Sequence, residues 1–594
     1  MHKSSIAFKN NIPYISIDGE LHAPFAYTAY FEERGEYADF SEKGCRMFFV
    51  NVSFSSLPIN NITGFTPFLS GVFDGDIPDY KEFDETVRKI LAVCPDAFIF
   101  PRINMTMPEK WINEHPSETV DTVNGGKRES LYSDIYLRDA KELLFTLIDH
   151  IEKEDYSYAV SGYQLCGGTT QEWFHHDLSG SFSEMGLEKF SRWMKEKYGA
   201  SEISLTKETL RREFFNEEVS RYCEFTGEMT AKTVEYFTKA LKEYISYSQI
   251  VGVFYGYNAF VCDPLWGHHG MRFIIDSPFI DFFSSPNAYD NNRSLGTDWG
   301  DMTAGESLKI HGKLYFTECD IRTHLTRGMQ EARPGKYPDN VYLQYDEKGN
   351  KTVWAGPDTL PLSLSAIRKT FSHKITKGEG IWWFDMWGGW YHNEEIMKDI
   401  GIMKEISEKA INKPKDGYPT AEAVMIVDEK AYLNLPVGSG LLHSVNAVRT
   451  NMGYMGMPFD ILMAEDAEKA IGKYRAAVFT APVSSDTGKE AKSLLEKMNI
   501  PYIESTPEKP SFTTDELRSF LVSSGVHCYN PDGHIIHSGN GFLGVHFVKD
   551  GEITIKLPRK YKVSSLFDDT FTETETDVIT LSGNKHDTAV FELT

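Results

Sequence analysis

Through the first 400 residues, short runs of apolar and β-branched side chains alternate with longer stretches in which apolar residues return every three or four positions. The short runs have the character of buried strands and the long ones that of amphipathic helices, so the alternation predicts βα units around a parallel sheet. Strands are predicted at 25–30, 45–52, 97–102, 161–165, 250–255, 279–284, 314–318 and 380–385. Helices fall between them, at 83–93, 137–153, 187–197, 225–247 and 362–376 among others. Eight strands with intervening helices predict an α/β fold whose catalytic unit is a closed (β/α)8 TIM barrel over residues 1–410. An open doubly wound sheet would carry a Gly-rich phosphate turn after its first strand, and Ala26-Tyr27-Thr28-Ala29-Tyr30 offers none.

The pattern changes after the linker-like Asn412-Lys413-Pro414-Lys415-Asp416-Gly417. Strands at 421–428, 476–479 and 500–503, with a helix at 488–498, predict a smaller α/β layer domain over 418–515. From about residue 525 short alternating strands with Asn/Asp/Gly turns predict a small antiparallel β-domain over 520–594.

Composition narrows the function classes. With 86 acidic against 61 basic side chains the net charge is −25, and no Lys/Arg run tracks phosphates, which argues against a nucleic-acid partner. The N-terminal residues lack an apolar core of signal-peptide length and no segment approaches a membrane span, so a cytoplasmic protein with no membrane partner is expected. The cysteines, Cys45, Cys94, Cys166, Cys223, Cys262, Cys319 and Cys528, are odd in number and form no CxxC pair, which indicates neither a disulfide framework nor a cysteine-rich zinc site.

In a (β/α)8 barrel the chemistry sits at the C-terminal ends of the strands, where the βα loops converge. After the fourth predicted strand comes Gly167-Gly168-Thr169-Thr170-Gln171-Glu172-Trp173-Phe174, and the seventh runs into Thr317-Glu318-Cys319-Asp320-Ile321-Arg322. Two strand-end carboxyls meet the need of glycoside hydrolysis for one protonated acid and one anion across the scissile bond. A separation of roughly 5 to 5.5 Å, the retaining arrangement, is expected. Trp173 and Phe174 are expected to desolvate Glu172 as acid/base, and Arg322 to keep Glu318 ionised as nucleophile. Sugar rings stack on aromatic planes, which singles out Tyr257, Trp266, Tyr289, Trp383 and Trp387 near strand ends; Arg102, Asn104, His268, Asn287 and Asp385 are the polar candidates for substrate hydroxyls. Tyr289 is expected to hydrogen-bond Glu318.

Competing readings are weighed alongside. Trp382 and Trp383 are adjacent on a strand, so only one can face the site. His175-His176-Asp177 has no matching ligand set and is read as structural hydrogen bonding, so no metal and no cofactor is expected. Cys319 is read as barrel packing. The insert 328–357 is read as a wall that favours exo over endo action. A carbohydrate-binding protein on an inactive barrel is the reading from another class.

These residues resemble the clan A glycoside hydrolases, and the domain order resembles the family 42 β-galactosidases, with the family 164 β-mannosidases similar in layout. The resemblance covers essentially the whole chain and implies a barrel, a flavodoxin- or amidotransferase-like domain that assembles homotrimers, and a C-terminal β-sandwich. It implies Glu172 as acid/base, Glu318 as nucleophile and a tyrosine contact to the nucleophile from Tyr289. Family 42 members carry Asn just before the acid/base where this chain has Gln171, and many hold a structural zinc on clustered cysteines that this chain lacks. Gln171 is expected to reach the 2-hydroxyl in place of that Asn. The reading is a retaining exo-β-glycosidase acting on a carbohydrate, with β-galactosides favoured over β-mannosides by resemblance alone.

Overall fold

The computed structural model describes residues 1–200, 202–211, 213–260, 263–414, 417–418, 420–436 and 440–594. Cys262 and, within the expected linker, Lys415 and Asp416 lie outside the described residues. Eight parallel strands close into a barrel: Phe25–Ala29, Met47–Ser53, Phe98–Asn104, Gly162–Cys166, Ile250–Phe254, Phe282–Ser284, Leu314–Cys319 and Gly380–Asp385. They follow one another round the ring in chain order, and the ring closes where Asp385 pairs with Ala29. The sixth strand is shorter than its apolar run because the chain before it is still turning, with the Ile280 N–H bonded to Ser277.

Side chains alternate between the two faces of each strand. Phe49, Phe100, Phe254, Phe282, Phe316 and Trp382 fill the interior, while Phe48, Val50, Val253, Phe283 and Trp383 face the helix layer. The barrel is therefore a solid core, and a ligand is confined to its rim.

Periodicity assigned nothing before residue 25, yet a three-stranded antiparallel sheet stands there: Ser4–Lys9, Ile12–Ile17 and Glu20–His22. Its first hairpin turns on Asn10 and Asn11, both left-handed with φ of 53° and 60°, a conformation asparagine tolerates in two-residue turns. Ile15 and Ile17 join the interior core. Ser4 bonds the Ser161 carbonyl and the Ile250 N–H, at the starts of barrel strands four and five. The sheet thus seals the N-terminal end of the barrel and leaves the C-terminal end open for loops.

Beyond the barrel a four-stranded parallel sheet is ordered Phe459–Met463, Ala423–Val427, Ala476–Phe479 and Tyr502–Glu504. The strand at Phe459–Met463 escaped the pattern because it continues into Ala-Glu-Asp-Ala-Glu-Lys-Ala, so the whole run has the composition of a helix. A five-stranded antiparallel sheet, from Ile535–Gly539 to Thr588–Leu593, ends the chain. It packs on helix Leu360–Lys377, which leads into barrel strand eight: Ser365 bonds Thr588 at 2.7 Å, and Ser372 bonds His537 at 2.9 Å. Among the described residues no helix is long and apolar enough to cross a membrane.

Candidate active site

The loop after barrel strand four carries Glu172 in a conformation few residues adopt. Thr170, Gln171 and Trp173 all have positive φ, 63°, 67° and 61°. Such backbone strain persists only where the surroundings over-determine it. Trp173 supplies one anchor, fully buried with its indole N–H bonded to the Leu165 carbonyl at 3.2 Å and its ring against Phe237. It faces the helix layer, so the expectation that Trp173 desolvates Glu172 is corrected; Phe174, packed on Tyr257 and His268, is the ring on the Glu172 side. The Glu172 carboxyl accepts the Tyr257 hydroxyl at 2.7 Å on Oε1 and the Thr170 hydroxyl on Oε2. Burial raises its pKa above the ordinary carboxyl value, against these two hydrogen bonds, which lower it.

Glu318 ends barrel strand seven and is 6% exposed. Its partner is Arg102 from strand three, whose Nη2 lies 3.8 Å from Oε2. The Arg102 guanidinium is held among Tyr30, Phe254, Trp382 and Phe384, with ring centroids 5.0 to 5.6 Å away. Arg322, expected to serve Glu318, instead donates to Asp320 Oδ2 at 2.9 Å and rests on Trp354 and Trp390. Burial pushes Glu318 well above the ordinary carboxyl range; Arg102 opposes this, and the Asp320 and Glu172 carboxylates add to it. The expected split, with Glu172 raised and Glu318 ordinary, is therefore corrected: both carboxyls are raised, Arg102 opposes the rise at both, and it lies closest to Glu318.

The other expected residues divide. Tyr289 bonds Asp320 Oδ2 at 3.0 Å rather than Glu318, because Arg293 stacks on its ring at 3.8 Å and ties both residues together. Asn104 has both amide ends engaged, with Ser53 and Thr106. His268 takes the Tyr257 N–H on Nδ1, so the proton lies on Nε2 and is donated to the Glu172 carbonyl at 2.6 Å. With both nitrogens so used, it shapes the loop and holds no substrate hydroxyl; burial drives its pKa down to about 3. Trp383 packs outward on Phe25 and Tyr391, and Trp382 faces inward in its place. Asp385 also faces outward, accepting the Tyr27 hydroxyl at 3.0 Å and the N–H groups of Gly389 and Trp390, so it fixes the strand-eight loop.

Gln171, Asn287 and Trp387 stay in the loops just after strands four, six and eight, while Trp266 lies twelve residues beyond strand five, on the turn Pro264–Trp266, with its ring edge-on to Phe174. Gln171 accepts the Tyr30 hydroxyl at 2.8 Å while its Nε2 finds no partner. Among the described residues, both amide atoms of Asn287, the Trp266 indole N–H and Arg102 Nε are likewise buried and without a partner, which few buried polar groups in a folded protein are. Trp387 sits in an aromatic wall with Phe65, Tyr342 and Trp354, centroids 5.3 to 6.3 Å apart. Tyr342 belongs to the insert 328–357, which is latched over the strand-one and strand-two loops by Arg333 on Glu33 and by the Tyr342 phenol on Asn60 and Thr63. Burial and the Glu172 charge help push that phenol up to about 12.

Sequence reasoning missed Tyr30, Tyr342, Asp320 and Arg293. Tyr30 was legible as an aromatic closing strand one; the others depend on loop geometry. His175 and His176 are spent on hydrogen bonds, to Ser181 and Thr230 and to Asn61 and Glu129. Cys319 is buried in the helix-side core.

The same fold is found in solved β-galactosidases. The enzyme from the psychrophilic Marinomonas ef1 matches with a TM-score of 0.64 at 11% identity, over 96% of this chain and 99% of that one. The β-galactosidase from Rahnella sp. R3 gives 0.62 at 9%, over 96% and 98%. Gan42B, a GH42 β-galactosidase from G. stearothermophilus, gives 0.59 at 10% over the full length of both chains. No family model matches the chain, and no curated protein matches it in sequence. The chain shares the architecture of that GH42 β-galactosidase, an eight-stranded parallel barrel followed by a parallel α/β sheet and an antiparallel sheet.

Proposed function

We propose that the chain is a retaining exo-β-glycosidase that removes a terminal β-linked sugar, β-galactosidase-like, with Glu318 as nucleophile and Glu172 as acid/base. The observation that carries the reading is the pairing of a half-buried carboxyl in the strand-four loop, Glu172, with a buried one ending strand seven, Glu318, which has the Arg102 guanidinium 3.8 Å away. Burial makes a second charge costly, so the pair keeps one proton, and Arg102, which favours the anion at both carboxyls, lies closest to Glu318.

The steps follow. The Glu318 carboxylate attacks the anomeric carbon as the glycosidic C–O bond breaks, and Glu172 gives its proton to the departing oxygen. Glu172, now ionised, takes a proton from water, whose oxygen displaces Glu318 and frees the sugar with its original configuration. The open Nε2 of Gln171 is suited to a substrate hydroxyl, and Trp387 and Trp266 to the sugar faces. The insert that brings Tyr342 within electrostatic reach of Glu172 supports exo action, as a wall on one side of the acid/base.

The β-galactosidases of like fold favour galactosides as first substrates, and a homotrimer is part of the proposal. Hydrolysis of aryl β-galactoside, mannoside, glucoside, fucoside and arabinoside by wild type and Glu318→Ala tests it. Turnover of one sugar, lost in the variant, supports the reading; silence across the panel, with oligosaccharides still bound, favours an inactive binding protein. Light scattering that finds only single chains at micromolar concentration removes the trimer.

A further inference from the structure

We infer that Glu429, on the α/β unit, is a positioning residue for Glu172 and acts through the loop after barrel strand five; the inference rests on the glycosidase reading above. Glu429 follows strand Ala423–Val427 by two residues and is fully buried. Its Oε1 accepts the Met271 N–H at 3.0 Å, and its Oε2 accepts the Arg272 N–H at 3.2 Å and the Arg272 guanidinium at 3.1 Å. The same guanidinium reaches back to the His269 carbonyl at 3.1 Å, and the His269 ring meets Tyr432 edge-on at 5.6 Å.

The other side of this loop is pressed on helix Glu217–Tyr244. A Cβ on Gly270 would lie 2.2 Å from the Gly227 carbonyl oxygen, and one on Gly227 would lie 2.5 Å from that of His269. Residues 268–272 are thus gripped between the helix and Glu429. His268 heads the gripped segment, and its imidazole joins the two loops that carry the acid/base assembly: it donates to the Glu172 carbonyl and accepts from the N–H of Tyr257, whose phenol holds the Glu172 carboxyl.

A buried carboxylate accepting two backbone N–H groups and a guanidinium has one orientation, so it fixes the height of the loop on the barrel rim. An acid held about 1 Å out of place loses much of its effect, while the binding pocket survives. Loosening Glu429 should therefore damage proton delivery and leave nucleophilic attack intact.

The test compares two β-glycosides of the sugar that wild type cleaves: an alkyl glycoside, whose leaving group needs the proton, and a dinitrophenyl glycoside, whose leaving group does not. Glu429→Gln and Glu429→Asp are measured with thermal melting, and Asn434→Ala, which breaks the Ser220 contact at the same seam, serves as control. The expected result is a loss of kcat/KM on the alkyl glycoside of about tenfold or more, with the dinitrophenyl glycoside within about twofold and the control unchanged on both. Equal losses on both substrates, the same selective loss in Asn434→Ala, or loss of cooperative melting in both Glu429 variants overturns the positioning role. Wild type that cleaves no glycoside of the panel above would overturn the glycosidase reading and this inference with it.

Discussion

Tyr257 and Glu172 are joined by a 2.7 Å hydrogen bond in which the phenol donates to Oε1, and Thr170 donates to the other oxygen. Both donors favour the ionised carboxyl, so they hold its pKa below the level that burial alone would set. In Tyr257→Phe the pKa of Glu172 rises further, and Glu172 stays protonated to higher pH. The alkaline limb of kcat/KM should move up in pH, with a rate loss of about tenfold at the optimum. A full pH–rate profile checks this, and an unmoved limb contradicts it.

Arg102 acts on Glu318 in the opposite sense from burial. Without the guanidinium the anion forms only at higher pH, so Arg102→Met should shift the acid limb of kcat/KM upward and lower the rate below that limb on the order of 10²-fold. Arg102 also lowers Glu172, so Arg102→Met should raise both limbs, whereas Tyr257→Phe acts through its hydrogen bond on the alkaline limb.

Glu318 also leaves a mark on stability. Its folded pKa is raised, so the folded chain holds this proton more tightly than the unfolded one. That contribution is complete below the ordinary carboxyl range and is lost as pH rises through the raised folded value. Glu318→Gln removes the dependence. The variant should melt above wild type at about pH 8, with the gap closing toward about pH 4; calorimetry at the two pH values reads it directly.

Gln171 and Asp385 should part company. Gln171→Ala removes an open donor and leaves the Tyr30 hydroxyl without its acceptor, and should cost about 10²-fold in kcat against only about 1 kcal/mol of stability. Asp385→Ala orphans the Gly389 and Trp390 N–H groups and the Tyr27 hydroxyl, and should cost about 1 to 3 kcal/mol of stability. Its folded fraction should keep KM within a few-fold, and a large rise in KM would restore Asp385 as a substrate ligand.

The barrel was legible because strands buried on both faces read as unbroken apolar runs, and Glu172 and Glu318 because a strand end needs only the strand to be found. What lay beyond was set by geometry that spacing does not encode. Alternation said that one of Trp382 and Trp383 faces inward but not which. Tyr289 went to Asp320 because Arg293, on the same loop, draws both together. Arg102 came to Glu318 from four strands away round the ring, a neighbour that no local sequence window contains. The Asn10-Asn11 pair has the composition of a turn, but its flanking strands are six residues each, and Pro13 breaks the second, so the signal is short.

The most direct test of the central claim is azide rescue of Glu318→Ala on the aryl β-glycoside that wild type cleaves. The account predicts that the variant is inactive alone and regains turnover with azide, releasing the α-glycosyl azide. No rescue, or a β-configured azide product, would contradict Glu318 as the nucleophile of a retaining enzyme.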